Sequence, residues 1–526
     1  MILVCSGLLF AVPFFLSQLH WLSFISAIPF FYLIFDNAKK IVNYSVWFAM
    51  SFYLAVFVWI FWMYPMEHVG VTPMQSLFIV IAGWIGFSII MTFAFMILPL
   101  GLKFIGLPLI VKTQKAVYLL PIIAASLYVI LEWSQSLLLP WTKLAVAQYR
   151  NIFFIQSMSV FGTYIPAFLI IFINASAALY FLSRRNKTDS KYCMNGLIIA
   201  CVVVYAVNFG FGFLRVYFNE RNNDYKTIVA QIVQGNIPSY ERWIRYTAND
   251  ILSIYENLTE WYATPETTIS VWPETAVPRG FTRGDELYNR LRRVAEDNDI
   301  TLIAGVFYRE NIRNYNAIMS FDANYEFIPP YIKQKLVPFG EFVPFENILT
   351  RIFPFIGNIA LFGSQLTAGD GSRLMYVNGV NYGGLVCFDS IFARLARQSV
   401  RDGADILIIV TNDSWFRDSR AIYQHNAQAV LRAVQNNRYV VRSANTGISS
   451  FISSTGRILQ QTDVFERVVI TQKVGIAQGM TIYTRFGEII LFLAWIFIAA
   501  AVVWTRVSII IIPSRRQKDK DKDINI

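Results

Sequence analysis

The fold is indicated most directly by the stretch Asn381-Tyr-Gly-Gly-Leu-Val-Cys387-Phe-Asp389. Its pattern predicts a buried β-strand that ends in a sharp turn at Cys387 and leads into a helix over 390–401. Gly383 and Gly384 allow a neighbouring strand or a substrate to approach the backbone closely. Helix N–H groups aimed at the turn would favour the thiolate of Cys387, which is the nucleophilic form. A cysteine in a strand is also commonly a buried structural residue, so the choice depends on the rest of the chain.

The chain is too apolar for a wholly soluble protein. Of its 526 residues, 55% are hydrophobic and only 15% are charged, and the mean hydropathy is +0.45. Such a composition indicates membrane spans. The net charge of +11 is typical of basic cytoplasmic loops in a membrane protein. Because no basic cluster is interleaved with aromatic residues in the polar part, we expect no nucleic-acid partner.

Long apolar runs predict about eight membrane spans, seven of them before the polar part of the chain. Each run is near or above the ~20 residues that cross a bilayer as a helix. The runs cover residues 2–19, 21–36, 44–64, 75–100, 117–139, 153–182, 193–215 and 488–512. The first run lacks a basic n-region and a small-residue cleavage site, so we expect a retained span rather than a signal peptide.

Basic residues predict the orientation, because positive charge marks the cytoplasmic side. They follow the second, fourth, sixth and last runs: Lys39, Lys40, Lys103, Lys112, Lys115, Arg184, Arg185, Lys187, Lys191, Arg515, Arg516, Lys518, Lys520 and Lys522. We therefore predict a helical membrane domain over 1–217, an outer domain over 218–485, a C-terminal span over 486–513 and a charged cytoplasmic tail over 514–526. Both termini are then cytoplasmic.

Between residues 218 and 485, short β-like stretches alternate with amphipathic helical ones. Strands are predicted over 227–233, 269–272, 301–307, 317–321, 381–387, 406–410, 439–443, 449–453 and 467–471. Helices are predicted over 242–262, 286–298, 391–401 and 421–436. This alternation predicts a layered sandwich in which helices cover β-sheets.

The segment Phe342–Phe362 is unusually rich in Phe, Ile and Leu, and Pro344, Pro354 and Gly357 interrupt it. Two interpretations stay open. The segment is either a loop packed on its own domain or an apolar lid that dips into the membrane.

A cysteine nucleophile needs a base and a group that stabilises the developing oxyanion. Cys387 is the one cysteine of the polar domain, so no disulfide partner competes for it there. The three histidines show no spacing typical of a metal site, so we expect no metal, and His425 in a predicted helix is interpreted as structural. The other candidates are carboxylates and lysines: Glu274, Lys333, Lys335 and Glu341.

Taken together, these motifs resemble the Glu–Lys–Cys signature of the nitrilase, or carbon–nitrogen hydrolase, superfamily. They are Trp272-Pro-Glu274, Lys333-x-x-Leu-Val-Pro-Phe-Gly-Glu341, Gly384-Leu-Val-Cys387, Asn412-Asp-Ser-Trp415-Phe and Val233-Gln-Gly-Asn-Ile. With its membrane spans, the whole chain is similar to the apolipoprotein N-acyltransferases. Lys333, rather than its neighbour Lys335, matches the lysine of that family.

The resemblance implies a multi-span helical membrane domain with a nitrilase-like αββα sandwich, and acyl transfer through a cysteine thioester without a cofactor. Glu274 would be the base, Lys333 would stabilise the oxyanion and Cys387 would be the nucleophile. The implied donor is a phospholipid such as phosphatidylethanolamine, and the implied acceptor is the diacylglyceryl-cysteine N-terminus of an apolipoprotein. The implied location is a bacterial inner membrane with the catalytic domain in the periplasm.

The resemblance also implies supporting or substrate-binding positions: Glu341, Trp243, Phe388, Asp389, Asn412 and Trp415. Trp243 matches a lipid-contacting tryptophan of the family, although an ordinary helix-packing role fits it as well. The family usually has Cys-Tyr-Glu at the turn, where this chain has Cys387-Phe388-Asp389. We expect this departure to affect acceptor positioning or rate rather than the nucleophile itself.

Two other functions stay open on the sequence. A membrane-tethered amidase or nitrilase acting on a soluble C–N bond would use the same three residues, and only the membrane spans and the Phe-rich segment argue against it. A transporter or receptor with an inactive outer domain is disfavoured by the intact Glu274, Lys333 and Cys387. It is also disfavoured because Glu67 and Glu132 are nearly alone as carboxylates in the apolar runs.

Overall fold

The computed structural model describes residues 1–66, 70–112, 114–185, 191–221, 226–238, 245–325, 327–343, 345–352 and 366–511. The chain divides into two compact units. One consists of Met1–Val58, Ala82–Tyr217 and Phe486–Ile526, and the other of Trp59–Ile81 with Phe218–Arg485. The second unit thus includes Trp59–Ile81, which the predicted division assigned to the membrane domain.

Long apolar helices make up most of the chain outside the β-rich part. Among the described residues, seven helices are long and apolar enough to cross a membrane: Ser17–Asp36, Ala38–Met63, Pro73–Leu109, Val117–Ser136, Ile165–Arg185, Asn195–Arg221 and Ile489–Arg506. The predicted first span is shorter than expected, because Ile2–Phe15 has only 14 helical residues and a crossing helix needs ~20. The predicted sixth span is divided at Gly162, where φ is +94°.

Two mixed β-sheets form the second unit. In chain order the strands are β1 Thr227–Gln234, β2 Ile269–Phe281, β3 Thr301–Glu310, β4 Arg313–Phe321, β5 Tyr331–Ile332, β6 Leu374–Val377, β7 Val380–Val386, β8 Ile406–Thr411, β9 Tyr439–Ala444, β10 Ser450–Ile452, β11 Ile458–Gln461 and β12 Val468–Gly475. The strand orders are β12-β1-β2-β3-β4-β5 and β11-β10-β9-β8-β7-β6. The inner strands β1–β3 and β7–β9 are parallel, and the flanking strands pair antiparallel.

Apolar side chains of the two sheets pack against each other in one buried cluster. It includes Ile228, Val271, Ile303, Val386, Ile408 and Val441. Helices Ala248–Tyr262 and Glu286–Asp297 pack on the first sheet, and Ala393–Arg401 and Ala421–Asn436 pack on the second. The unit is therefore a four-layer αββα sandwich, which confirms the predicted fold class.

Differences from the predicted elements have local causes. The helix predicted over 242–262 begins at Ala248, because Thr247 caps it and exchanges hydrogen bonds with Asp250. Its predicted start at 242–244 lies outside the described residues. Three strands were missed, β5, β6 and β11, because two to four residues are too few to show a period.

Candidate active site

The three predicted catalytic residues lie at strand irregularities and strand ends of both sheets. Glu274 lies within β2, Lys333 follows β5, and Cys387 follows β7. The structure brings them together: the Lys333 ammonium contacts the Glu274 carboxylate, and both act electrostatically on the Cys387 thiol. Residues far apart in sequence thus meet between the two sheets.

A β-bulge directs Glu274 out of the regular strand. The pairing of β2 with β3 is interrupted between Trp272 and Val277, and Thr275 has a φ of +53°. A bulge of this kind re-aims a side chain. Gly305 of β3 makes room for it, because a Cβ there would lie 2.6 Å from the Glu274 Cα. Glu274 can therefore occupy this position only because residue 305 has no side chain.

Lys333 lies between two carboxylates in the protein interior. Its Nζ is 3.1 Å from Glu274 Oε1 and 2.9 Å from Glu341 Oε1, and its side chain is 1% exposed. The Asn316 amide donates to the same two oxygens, at 2.8 Å each. An ammonium and an amide thus hold Glu274 and Glu341 side by side. Asn316 was not predicted, because it occupies an ordinary position in the antiparallel strand β4.

The second oxygens of the two carboxylates accept main-chain hydrogen bonds. Glu274 Oε2 accepts the Asn412 N–H at 2.8 Å, and Glu341 Oε2 accepts the Val337 N–H at 2.8 Å. Asn412 therefore contacts the cluster through its main chain. Its side-chain Oδ1 accepts a hydrogen bond from the Ser414 hydroxyl at 2.8 Å instead. Both carboxylates are consequently fixed at both oxygens.

The charges of this cluster affect the Cys387 thiol. Burial lowers the pKa of Lys333, but Glu274 and Glu341 outweigh it and the pKa is raised well above its ordinary value. Two carboxylates and one ammonium leave a net negative charge. Burial raises the pKa of Cys387, Glu274 raises it further, and Lys333 only partly opposes them. The surroundings of Cys387 therefore favour the thiol over the thiolate.

This result corrects the expectation that helix N–H groups favour a thiolate at Cys387. Residues Cys387–Ile391 form a 3₁₀ turn, and the α-helix begins only at Ala393. The effect of a helix dipole is concentrated in its first turn, which does not include Cys387. Burial and the neighbouring Glu274 raise the pKa of Cys387 and favour the thiol instead.

Asp389 stabilises the sharp turn at Cys387. Cys387 has a φ of +47°, a left-handed conformation that is uncommon for residues other than glycine. The buried carboxylate of Asp389 accepts hydrogen bonds from Val386 N at 3.2 Å, Lys335 N at 2.7 Å and Tyr331 Oη at 2.9 Å. Burial raises the pKa of Asp389 to about 6, although Lys333 and these donors oppose the rise. Asp389 thus ties the end of β7 to the lysine-bearing segment.

Comparisons with known proteins identify the family of this chain. A family model of the apolipoprotein N-acyltransferase N-terminal domain matches residues 6–176, and the carbon-nitrogen hydrolase model matches residues 231–478. An apolipoprotein N-acyltransferase of Geobacter metallireducens is 31% identical over 387 residues, covering 72% of this chain and 72% of the relative. The chain belongs to the apolipoprotein N-acyltransferase family.

The apolipoprotein N-acyltransferase of Rickettsia prowazekii is 27% identical over 515 residues and covers 94% of this chain and 95% of its own length. Family membership therefore extends through the membrane helices and confirms the predicted family and a multi-pass membrane enzyme. A solved CN-hydrolase superfamily protein of Xanthomonas campestris aligns with a TM-score of 0.38 and 16% identity, over 48% of this chain and 91% of that chain.

The supporting positions of this N-acyltransferase family member have different surroundings. Phe388 is half-buried, and its ring meets the edge of Phe392 with centroids 5.2 Å apart. Trp415 is half-buried in the turn Asp413–Phe416 that follows β8. Trp243 lies outside the described residues. The phenolic hydroxyl usual at the position of Phe388 is absent, so this position offers a ring and no hydrogen bond.

Only part of the Phe-rich segment 342–362 is described. Residues 353–365 and residue 344 lie outside the described parts of the chain. The short helix Glu346–Ile352 follows the carboxylate Glu341, and on it Ile348 is 59% exposed, next to Phe345 at 79%. Exposed apolar side chains here leave the lid interpretation of the segment open.

Proposed function

We propose that this member of the family transfers an acyl chain from a phospholipid to the α-amine of the N-terminal diacylglyceryl-cysteine of an apolipoprotein. The transfer passes through a thioester on Cys387. The proposal is carried by one observation: a buried lysine shared by Glu274 and Glu341 lies beside a cysteine held in a strained turn. A nucleophile, a base and an oxyanion-stabilising cation are the parts that acyl transfer needs.

In the first half-reaction, the Cys387 sulfur forms a bond to the carbonyl carbon of the sn-1 ester. Glu274 accepts the thiol proton, because the thiol is protonated at rest. Lys333 stabilises the negative charge that develops on the carbonyl oxygen. The ester C–O bond then breaks, Glu274 returns the proton to the leaving oxygen, and a lysophospholipid departs.

In the second half-reaction, the α-amine of the diacylglyceryl-cysteine attacks the thioester carbonyl. An N–C bond forms and the C–S bond breaks, with Glu274 accepting a proton from the amine and Cys387 regaining a thiol. Glu341 keeps Lys333 and Asn316 in place during both steps. Water must be excluded from the thioester, since hydrolysis would waste the acyl group. The exposed apolar side chains of Phe345 and Ile348, close in sequence to Glu341, would suit such a cover.

We further propose that the catalytic domain, 218–485, lies in the periplasm. Along the chain it follows the membrane domain 1–217 and precedes the C-terminal span 486–513. Even numbers of candidate spans separate the basic segments from one another, which places them all on one side of the membrane; these segments lie near residues 39, 112 and 187 and in the tail 514–526. Odd numbers of candidate spans separate them from the catalytic domain, which places that domain on the other side. Whether Ile2–Phe15 crosses the membrane changes only the side of the N-terminus. The orientation therefore rests on positive charge in the loops.

The direct experiment traps the acyl-enzyme. The purified protein is incubated in detergent with a phospholipid that carries a labelled sn-1 chain, without acceptor, and its intact mass is measured. We expect a mass increase of one acyl group that hydroxylamine removes and that Cys387→Ala abolishes. Adding a diacylglyceryl-cysteine peptide should move the label to the peptide amine. Hydrolysis of small amides without an acyl-enzyme would favour the tethered amidase instead.

A further inference from the structure

A second set of buried polar side chains, separate from Lys333 and its two carboxylates, is hydrogen-bonded in a chain that ends at Cys387. Arg442 Nη2 donates to Asp413 Oδ2 at 2.8 Å, and Asp413 Oδ1 lies 2.8 Å from His425 Nδ1. His425 Nε2 lies 3.0 Å from the Ser390 hydroxyl. That hydroxyl donates to the main-chain carbonyl of Cys387 at 2.7 Å, and Nε2 itself is 3.3 Å from the same oxygen. The chain ends at the nucleophile's own backbone.

The four side chains come from four different elements of the second sheet and its covering layer. Ser390 lies in the turn after β7, Asp413 in the turn after β8, His425 on the helix Ala421–Asn436 and Arg442 on β9. All are at most 2% exposed. A buried polar group is costly unless it is hydrogen-bonded. This chain of contacts, which reaches the Cys387 carbonyl through Ser390 and His425, is therefore maintained against a desolvation cost.

The orientation of the histidine ring follows from Asp413. Burial alone would raise the pKa of Asp413, but the Arg442 guanidinium and His425 hold it below its ordinary value, so the carboxylate is ionised. An ionised carboxylate only accepts hydrogen bonds, and Nδ1 must donate its hydrogen to it. Nε2 consequently faces the Ser390 hydroxyl and the Cys387 carbonyl.

The carbonyl of Cys387 needs such support. A residue other than glycine with positive φ costs of the order of 1–3 kcal/mol and persists only where its surroundings determine it. Asp389 accepts the N–H of Val386 and so holds the residue before the nucleophile. Ser390 and His425 contact the carbonyl after it. The two systems hold the turn from both sides.

We propose that His425, oriented by Asp413 and Arg442 and acting with Ser390, is a positioning residue that sets the backbone of Cys387 for attack. This inference rests on the proposed role of Cys387 as nucleophile. His425 is not assigned a proton-transfer role, since Nε2 is directed at the hydroxyl and the main chain. The interpretation of His425 as merely structural gives way to one in which the ring determines the geometry of the reacting group.

The two amide side chains test the two ring nitrogens separately. The amide of His425→Gln reaches about as far as Nε2 and can still contact the Cys387 carbonyl. The amide of His425→Asn reaches only as far as Nδ1 and can bond Asp413 alone. Because a displacement of about 1 Å can cost 10²-fold in rate, we expect acylation to slow by up to ~100-fold in His425→Asn and by less than ~10-fold in His425→Gln. The KM for phospholipid should be unchanged in both.

The control and a second variant separate positioning from folding. Asn426→Ala removes the next side chain on the same helix, which is 3% exposed and accepts a hydrogen bond from Ser450 at 2.9 Å, away from Cys387. It should keep the wild-type acylation rate per folded molecule. Ser390→Ala removes the bond to the Cys387 carbonyl and leaves the Asp413–Arg442 pair intact. It should slow acylation by ~10-fold even if the His425 variants do not fold.

The measurement is the single-turnover rate of acyl-enzyme formation by rapid quench and intact mass, at several phospholipid concentrations, beside thermal unfolding in the same detergent. If the wild type forms no acyl-enzyme, the proposed function fails. If the wild type does but Ser390→Ala and both His425 variants acylate at its rate, the positioning role is refuted. Equal losses in His425→Gln, His425→Asn and Asn426→Ala would also refute it, because they would reflect only the folded fraction.

Discussion

Replacing Lys333 with methionine removes the ammonium that two buried carboxylates share. Nζ lies 3.1 Å from Glu274 and 2.9 Å from Glu341, and the side chain is 1% exposed. Removing one partner of a buried ion pair leaves an uncompensated charge and typically costs about 3–5 kcal/mol. Since 1 kcal/mol shifts Tm by about 2–4 °C for a domain of 150–250 residues, we expect Lys333→Met to melt roughly 6–20 °C lower.

The same variant should also lose acyl-enzyme formation, and a second substitution separates the two effects. In Lys333→Met with Glu341→Gln, the net charge of the cluster returns to that of the wild type but Glu274 still lacks its cation, so only part of the thermal stability should return. The acylation rate should not return, because no cation faces the developing oxyanion. The assay pairs thermal unfolding in detergent with the intact-mass measurement of labelled acyl transfer to Cys387.

Lys335 provides the matched control for this prediction. It is half-buried, and its ammonium lies 5.5 Å from the centre of the Phe392 ring, a contact worth about 0.5–1 kcal/mol at an exposed site. Lys335→Met should therefore acylate normally and melt within a few degrees of the wild type. The reasoning would be refuted if Lys335→Met lost acylation while Lys333→Met kept it, or if Lys333→Met melted at the wild-type temperature.

Three further predictions concern the supports of the site. Burial raises the pKa of Asp389 to about 6, so its ionised form and the hydrogen bonds that this form accepts are lost as the pH falls through that value. The acylation rate of the wild type should fall over the same pH range. The pH–rate profile of Asp389→Asn should lack this decrease at acid pH. Gly305→Ala places a Cβ 2.6 Å from the Glu274 Cα and should slow acylation by roughly 100-fold, whereas Gly280→Ala, whose Cβ would have no contact nearer than 3.9 Å, should not; equal rates would contradict the argument. Asn316→Leu removes the amide that joins the two carboxylates and should lower the unfolding free energy by about 1–3 kcal/mol, and an unchanged thermal midpoint would contradict that role.

The sequence predicted those parts of the candidate site that lie in local motifs. Glu274 and Cys387 each follow a short apolar run, so a predicted strand and a reactive group could be inferred together, whereas Lys333 was distinguished from Lys335 only by the resemblance of its motif to a known family. Asn316 and His425 carry no such signal. Each lies in a regular strand or helix, and its importance comes from contacts with residues distant in the chain, such as Asn316 with Glu341. Long-range pairing of this kind is decided by tertiary packing.

The error about the thiolate has a similar origin. A strand followed by a helix-like run predicts a helix N-terminus directly at Cys387, but five residues, Cys387–Ile391, form a 3₁₀ turn first. The run shows no local pattern that separates this turn from the helix beginning at Ala393. The net charge around Lys333 could not be predicted from the sequence either. It depends on the contact of one ammonium with two carboxylates, one from β2 and one from the loop after β5.

That net charge has a consequence for the proposed mechanism. With Glu274 and Glu341 ionised, Lys333 is shared between them, and a thiolate beside the cluster is disfavoured. When Glu274 takes the proton from Cys387, its attraction for Lys333 weakens at the moment when negative charge arises on the reacting group. Glu341, held by the Val337 N–H, still orients the ammonium. Lys333 is thus released from one carboxylate and becomes free to stabilise the oxyanion, so the base and the oxyanion-stabilising cation act in one coupled step rather than as independent groups.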